Sequence, residues 1–135
     1  MRLGVTSVMV ENQDQALGFY TTILGFEKMA DIPFGTMRWL TVVSPEAPEG
    51  MELVLEPMAF PPARTFQQAL FEAGIPATAM FTEDIHADHS RLKSLGVVFR
   101  GEPTAMGPIT AVVFEDTCGN LSNLVQRNAS GREDR

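Results

Sequence analysis

Apolar and polar positions alternate along this chain with a period that changes in blocks. Val5 to Val10 is a short β-rich apolar run, the length of a buried strand. From Asn12 the spacing becomes helical: Ala16, Leu17, Phe19, Tyr20, Ile23 and Leu24 are its apolar positions, Asn12 or Asp14 can cap it, and Gly25 ends it. Phe26 to Asp31 reads as a strand, Ile32 to Met37 as a turn containing Pro33 and Gly35, and Arg38 to Ser44 as a β-branched strand. A loop with two prolines and a glycine, Pro45 to Gly50, leads to the strand Met51 to Glu56, which Pro57 ends.

The same order then returns. Pro57, Pro61 and Pro62 break the chain before a linker helix with Thr65 to Ala73 as its body and Gly74 as its end. Ala77 to Phe81 is a strand. Asp84 caps a helix from Ile85 to Leu95, ended by Gly96, and Val97 to Arg100, Ile109 to Phe114 and Leu121 to Gln126 follow as strands. At an offset of 71 residues Met9 falls on Met80, Ala16 on Ala87, Leu24-Gly25 on Leu95-Gly96, Val42 on Val113 and Leu53-Val54 on Leu124-Val125. Identity alone does not carry the repeat; the matching order of elements and helix-ending glycines does. The expected fold is therefore α+β: two tandem βαβββ modules whose curved mixed sheets surround a cleft, with helices on the outer face. Residues 1–126 read as one domain, with a first module at about 4–57, a linker helix at about 63–74 and a second module at about 76–126; residues 127–135 read as a polar tail.

Composition narrows the function. A net charge of −7 argues against nucleic acid, which demands a basic face. No apolar stretch approaches the roughly 18 residues of a membrane span. The single cysteine, Cys118, excludes an intrachain disulfide, and the N-terminal run is interrupted by Thr6, Ser7, Glu11 and Asn12, unlike a secretory leader. A reducing compartment, the cytoplasm, is the expectation.

The stretch ENQDQALGFYTTILGFEK is similar to the opening of glyoxalase-like proteins, and MELVLEP and FEDTCGNLSNLVQ resemble the last strand of each half in that family, the second with its Asp-x-x-Gly-Asn turn. The chain thus resembles the vicinal oxygen chelate superfamily of glyoxalases, bleomycin resistance proteins and extradiol dioxygenases over about Val5 to Gln126. The resemblance implies one divalent ion held by the first and last strands of each half, and chains that pair. Carried over, the acidic ligand falls on Glu52 and its counterpart on Asn123, while the first-strand positions fall near Val5 and Ala77. Neither Leu3–Met9 nor Ile75–Phe81 contains His, Asp, Glu, Gln or Cys. One carboxylate and one amide carbonyl make a poor divalent site, so no cofactor is expected, with a divalent metal as the alternative.

Other chemistry is weaker. His86 and His89 lie three apart on an outer helix, read as a solvated and a half-buried histidine away from the cleft. Cys118 has Glu115 and Asp116 beside it, which oppose a thiolate. In the cleft, alternation puts Glu52, Val54 and Glu56 on one face, and either Arg38 or Trp39 must join them. Phe34, Met37 and Met106 can wall the cleft. The ligand-pocket candidates are therefore Glu52, Glu56, Arg38, Trp39 and Asn123. Three readings follow: a metal-free protein of bleomycin-resistance type that binds a small organic molecule, with the carboxylates favouring a cationic one; a divalent-metal lyase or isomerase of glyoxalase type, or a dioxygenase; and a non-catalytic structural or regulatory homodimer.

Overall fold

The computed structural model describes residues 1–128; the rest of the polar tail, from Ala129, lies outside the described residues. Eight strands form two four-stranded sheets: β1 (Val5–Val10), β2 (Glu27–Phe34), β3 (Met37–Val43) and β4 (Glu52–Pro57) in one, and β5 (Thr78–Phe81), β6 (Thr104–Met106), β7 (Ile109–Glu115) and β8 (Leu121–Arg127) in the other. The strand orders are β1-β4-β3-β2 and β5-β8-β7-β6. In each, the first and last strands of the half pair in parallel and the remaining neighbours are antiparallel. This is the expected pair of βαβββ units.

Helix α1 (Gln13–Gly18) starts where Asn12 accepts the Gln15 N–H at 2.9 Å. It continues as a wider π-type turn over Phe19–Ile23, closed by Leu24 N–H on the Phe19 carbonyl. The linker helix α2 spans Pro61–Ala73, earlier than its expected start, because prolines are tolerated in a first helical turn where the N–H is unpaired anyway. Helix α3 covers Ile85–Ser94, capped by Asp84.

Two expectations about strands need correction. The turn expected over Ile32 to Met37 is only Gly35-Thr36, since Phe34 pairs with Met37 and β2 runs through Pro33 on an edge strand, where a missing N–H does no harm. The strand expected over Val97 to Arg100 reduces to a single bridge between Phe99 and Phe114, and the pairing resumes in β6, between the expected strands. Gly101, at φ +121°, breaks the run between them.

Sheet pairing also corrects the repeat. Leu53 faces Val42 while Leu124 faces Val112, so the counterpart of Val42 is Val112, not Val113. Beside Leu53 stands Thr6 and beside Leu124 stands Met80, so Met9 does not correspond to Met80. A slip of one residue matters because it exchanges the faces of a strand.

Helix-side faces of both sheets share one core. Val8, Val10, Leu40, Val42 and Leu55 of the first half meet Ala16, Phe19 and Tyr20 of its helix, and the cluster continues through Ile85, Leu92, Val112, Phe114 and Leu124. A polar knot fastens the halves. Asp116, fully buried, accepts hydrogen bonds from the Tyr20 hydroxyl at 2.7 Å, the Cys118 and Asn120 N–H groups at 2.8 and 3.0 Å, and Asn120 Nδ2 at 2.9 Å. Gln67, the one buried residue of α2, donates through Nε2 to the carbonyls of Met9 (2.9 Å) and Cys118 (3.1 Å) and to Asn120 Oδ1 (3.1 Å). These amides cover the outer edge of β1, which has no strand neighbour.

Candidate functional site

Alternation and register define the face of the first sheet that turns away from α1. Val54 on β4 stands opposite Thr41 on β3, which in turn faces Ala30 on β2, so Glu52, Val54, Glu56, Thr41, Trp39 and Met37 share it. Its centre is buried and its rim is not: Val54 is 2% exposed, Trp39 42% and Phe34 71%. A cavity of about 370 Å³ opens there, lined by Phe34, Met37, Trp39, Val54 and Glu56. Among the described residues no cation pairs with Glu56. Phe34 and Met37 reach this cavity from paired strands rather than from a turn.

Arg38 takes the opposite face. It forms a two-pronged ion pair with Asp31, both contacts at 3.0 Å, and a further one with Asp14 of α1. Hydrogen bonding from Arg38 lowers the Asp31 carboxyl to about 2, and the two carboxylates raise the guanidinium well above its ordinary value. Of Arg38 and Trp39, then, the tryptophan occupies the open face. Arg38 is committed to anchoring the helix side, where its charge is already matched.

Glu52 lies further along the same strand face. One carboxylate oxygen accepts the Thr41 hydroxyl at 2.7 Å, and Thr41 Oγ1 accepts the Ala30 N–H at 3.1 Å. Glu52 also borders a crevice of about 420 Å³ between the halves, where Thr6, Phe26 and Leu53 look across to Met80 and Phe81. Asn123 is on the second sheet, in register with Val113 on β7 and Ala79 on β5. Its Oδ1 is buried and has no hydrogen-bond partner among the described residues. Phe81, 61% exposed, lies on the same face under the Arg127 guanidinium, 4.2 Å from its ring centre.

The histidines stay apart from both faces. His86 is exposed, whereas His89 is buried, not half-buried, edge-on to Phe99 at 4.4 Å. Burial, reinforced by Asp116, pushes the Cys118 thiol up to about 12, the opposite of what a nucleophile needs. The residues that sequence reasoning passed over are Thr41 and Gln67. Their roles come from partners 11 and up to 58 positions away in sequence, and no local pattern marks them.

The family model described as Glyoxalase/Bleomycin resistance protein/Dioxygenase superfamily matches residues 2–124. The chain belongs to this superfamily. It is 50% identical to the uncharacterized protein YurT of Bacillus subtilis (strain 168) over 94% of this chain and 100% of the relative. It is similar to the crystal structure of UcmS2 (TM-score 0.80, 33% identity, 93% and 97% of the two chains). It is also similar to TnmS3, an antibiotic binding protein from Streptomyces sp. CB03234 (TM-score 0.76, 30% identity, 95% and 97%).

Membership raises the question of a metal. Register places Val5 beside Glu52 and Ala79 beside Asn123, so the second first-strand position is Ala79, not Ala77. On the carry-over that puts two of these positions at Glu52 and Asn123, the four that would face an ion are a valine, an alanine, a carboxylate already bonded to Thr41 and an amide. Catalytic divalent sites commonly take three protein ligands. Two hydrocarbon side chains among four leave too few donors, and the set does not fit the ion. Among the described residues no group of three or more His, Cys, Asp or Glu side chains is placed to hold a metal.

Proposed function

We propose that this protein binds a small organic molecule on the open face of its first sheet, without the divalent ion of the superfamily's enzymes. The observation that carries this reading is the cavity in which Trp39, Phe34 and Met37 line the approach to the Glu56 carboxylate, which no cation pairs among the described residues. Aromatic and thioether walls with one anchoring polar group suit an organic ligand. A carboxylate without a cation favours a positively charged one, through charge pairing and attraction to the tryptophan ring. The similarity to TnmS3, an antibiotic binding protein, supports a binding role over a catalytic one.

A second copy of the chain completes the site in this reading. Ile32, Phe34 and Trp39 on one sheet and Phe81 and Met106 on the other are exposed apolar side chains on faces that no helix covers, the kind of surface that marks an interface. The single buried thiol fits a reducing compartment such as the cytoplasm.

Trp39 is the only tryptophan and reports on its own site. Titration with proflavine, a planar aromatic cation, is expected to quench its emission saturably. Trp39→Ala and Glu56→Gln each weaken binding, by about tenfold or more, as measured by equilibrium dialysis. Absence of saturable binding would sink the reading, and so would a metal retained at one per chain in the purified protein. Sedimentation should give a species of twice the 14.8 kDa chain mass.

A further inference from the structure

The two sheets part company at one end. In the second, β7 and β8 stay paired from Glu115–Leu121 to Ile109–Arg127, and the Asn128 N–H then donates to the Pro108 carbonyl at 2.8 Å. In the first, β3 and β4 pair only at Thr41–Val54 and Val42–Leu53. Arg38 lies four residues before Val42, as Pro108 does before Val112; Pro57 lies four after Leu53, as Asn128 does after Leu124. Pro57 has no N–H, so the bond that Asn128 gives to Pro108 has no counterpart from Pro57 to Arg38. Gln13 of α1 fills the gap. Its Nε2 donates to the Arg38 carbonyl at 2.8 Å and to the Leu55 carbonyl at 3.0 Å, and its Oε1 accepts the Arg38 N–H at 3.2 Å. One carboxamide thus stands where a ladder would have joined the strands directly.

We infer that Gln13 is a positioning residue for the ligand cavity, wedged between β3 and β4 so that Trp39 and Glu56 stay apart. This rests on the binding reading above and adds the residue that keeps its site open. Continued, the β3–β4 register would set Trp39 opposite Glu56 and Arg38 opposite Pro57. By the pattern of Pro108 and Asn128, the Arg38–Pro57 pair is of the hydrogen-bonded kind. Trp39–Glu56 would then be of the other kind, in which Cα atoms approach to about 4.5 Å and side chains stand closest. The indole would lie on the carboxylate, and the cavity that both line would close. Gln13 is not part of the cavity wall. It acts through the backbone of Arg38 and Leu55, the chain neighbours of Trp39 and Glu56.

Two measurements test this. Trp39→Cys with Glu56→Cys puts thiols at the facing positions, and mild oxidation reports whether they meet, since a disulfide needs Cβ atoms about 3.8 Å apart. No cross-link is expected while Gln13 is present, and one is expected once Gln13→Ala is added. A cross-link in the presence of Gln13, or none without it, overturns the inference. With Trp39 and Glu56 in place, Gln13→Ala is expected to weaken proflavine binding, read by Trp39 quenching, by about tenfold. Pro57→Ala in that background returns an N–H to the Arg38 carbonyl, so the thermal midpoint recovers while dye affinity stays low. If Gln13→Ala alone does not fold, this double variant carries both measurements. Affinity that recovers together with the midpoint means that Gln13 serves the fold alone, and overturns the inference as well. If proflavine does not quench Trp39 in the wild type, the binding reading itself has failed, and the cross-link still decides whether Gln13 holds the strands apart.

Discussion

The first and second sheets are built on one plan and have kept different parts of it. In the first, the edge strand β2 runs over eight residues with one register shift between Lys28 and Ala30; in the second, its counterpart is a single bridge at Phe99 and the three-residue β6. The helix-side faces remain alike, valine and leucine in both, because they meet in one shared core. The open faces have diverged. One carries Trp39, Glu52 and Glu56; the other carries Ala111, Asn123 and Phe81. A face packed against its own helix and its sister half tolerates little change in volume. A face turned outward is free to change its chemistry, which is where a ligand site can arise.

The strongest way to break the comparison is to cut the knot that joins the halves. Asp116→Ala removes the acceptor of four hydrogen bonds in a fully buried setting, and the loss is expected to be about 3–5 kcal/mol. Urea unfolding should remain one transition with a lower midpoint. A separate early transition of the second half would show that the halves are not one cooperative unit.

Two glycines sharpen the contrast at a smaller scale. Gly119 has φ +93°, and a Cβ there would meet the Gln67 carboxamide at 3.1 Å; Gly35, in the β2–β3 turn, has φ +63° and open space around it. Gly119→Ala should therefore cost about 2 kcal/mol and Gly35→Ala about 1 kcal/mol, measured by thermal or urea unfolding.

Alkali tests the knot chemically. Tyr20 is raised well above its ordinary value by burial and then by Asp116, and Cys118 is raised from 9.0 to about 12 by burial first. A raised acid is stabilising to the fold only while protonated. Unfolding free energy is thus expected to hold below about pH 9 and to fall as pH climbs from 9 towards 12. In Tyr20→Phe that decline should be shallower. A flat profile would mean that the knot admits water.

The smallest effect belongs to the first half alone. Asp31, lowered from 3.8 to about 2 by Arg38, adds stability above pH 3.8 that is lost as pH falls towards 2. The pair is solvent-accessible and screened, so Asp31→Asn should flatten acid unfolding in that window only slightly. A large effect would make this ion pair more than a surface anchor for α1.

Much of the fold was legible along the chain because strands and helices announce themselves by period, cap and terminating glycine. Asn12, Gly25, Gly74 and Asp84 act locally, and the structure finds each near its expected place. What failed was also local in form. The Gly35 turn was read too wide because Pro33 counts as a breaker in sequence, yet on an edge strand it disturbs no pairing. The Val97–Arg100 segment does not continue a ladder, because Val97 turns into the core and Phe99 packs on His89 of α3 and Phe114 of β7 while Val98 is exposed. The candidate site was only partly visible. Glu52 and Glu56 share a face by period alone, but the choice between Arg38 and Trp39 depends on which face α1 covers.

By itself, then, the sequence determined the repeated βαβββ order, the net negative charge and the residue types at the four strand positions carried over from the family resemblance, because each is a property of residue type and spacing. Tertiary structure decided the rest. Register set the true correspondence between halves, moving Val42 onto Val112 and Ala77 to Ala79. Packing sent Arg38 to Asp14 and Asp31, supplied Thr41 to Glu52, and left Asn123 Oδ1 buried without a donor among the described residues. These depend on partners distant in the chain, and a side chain's neighbours across a sheet are fixed by pairing and not by the order of residues.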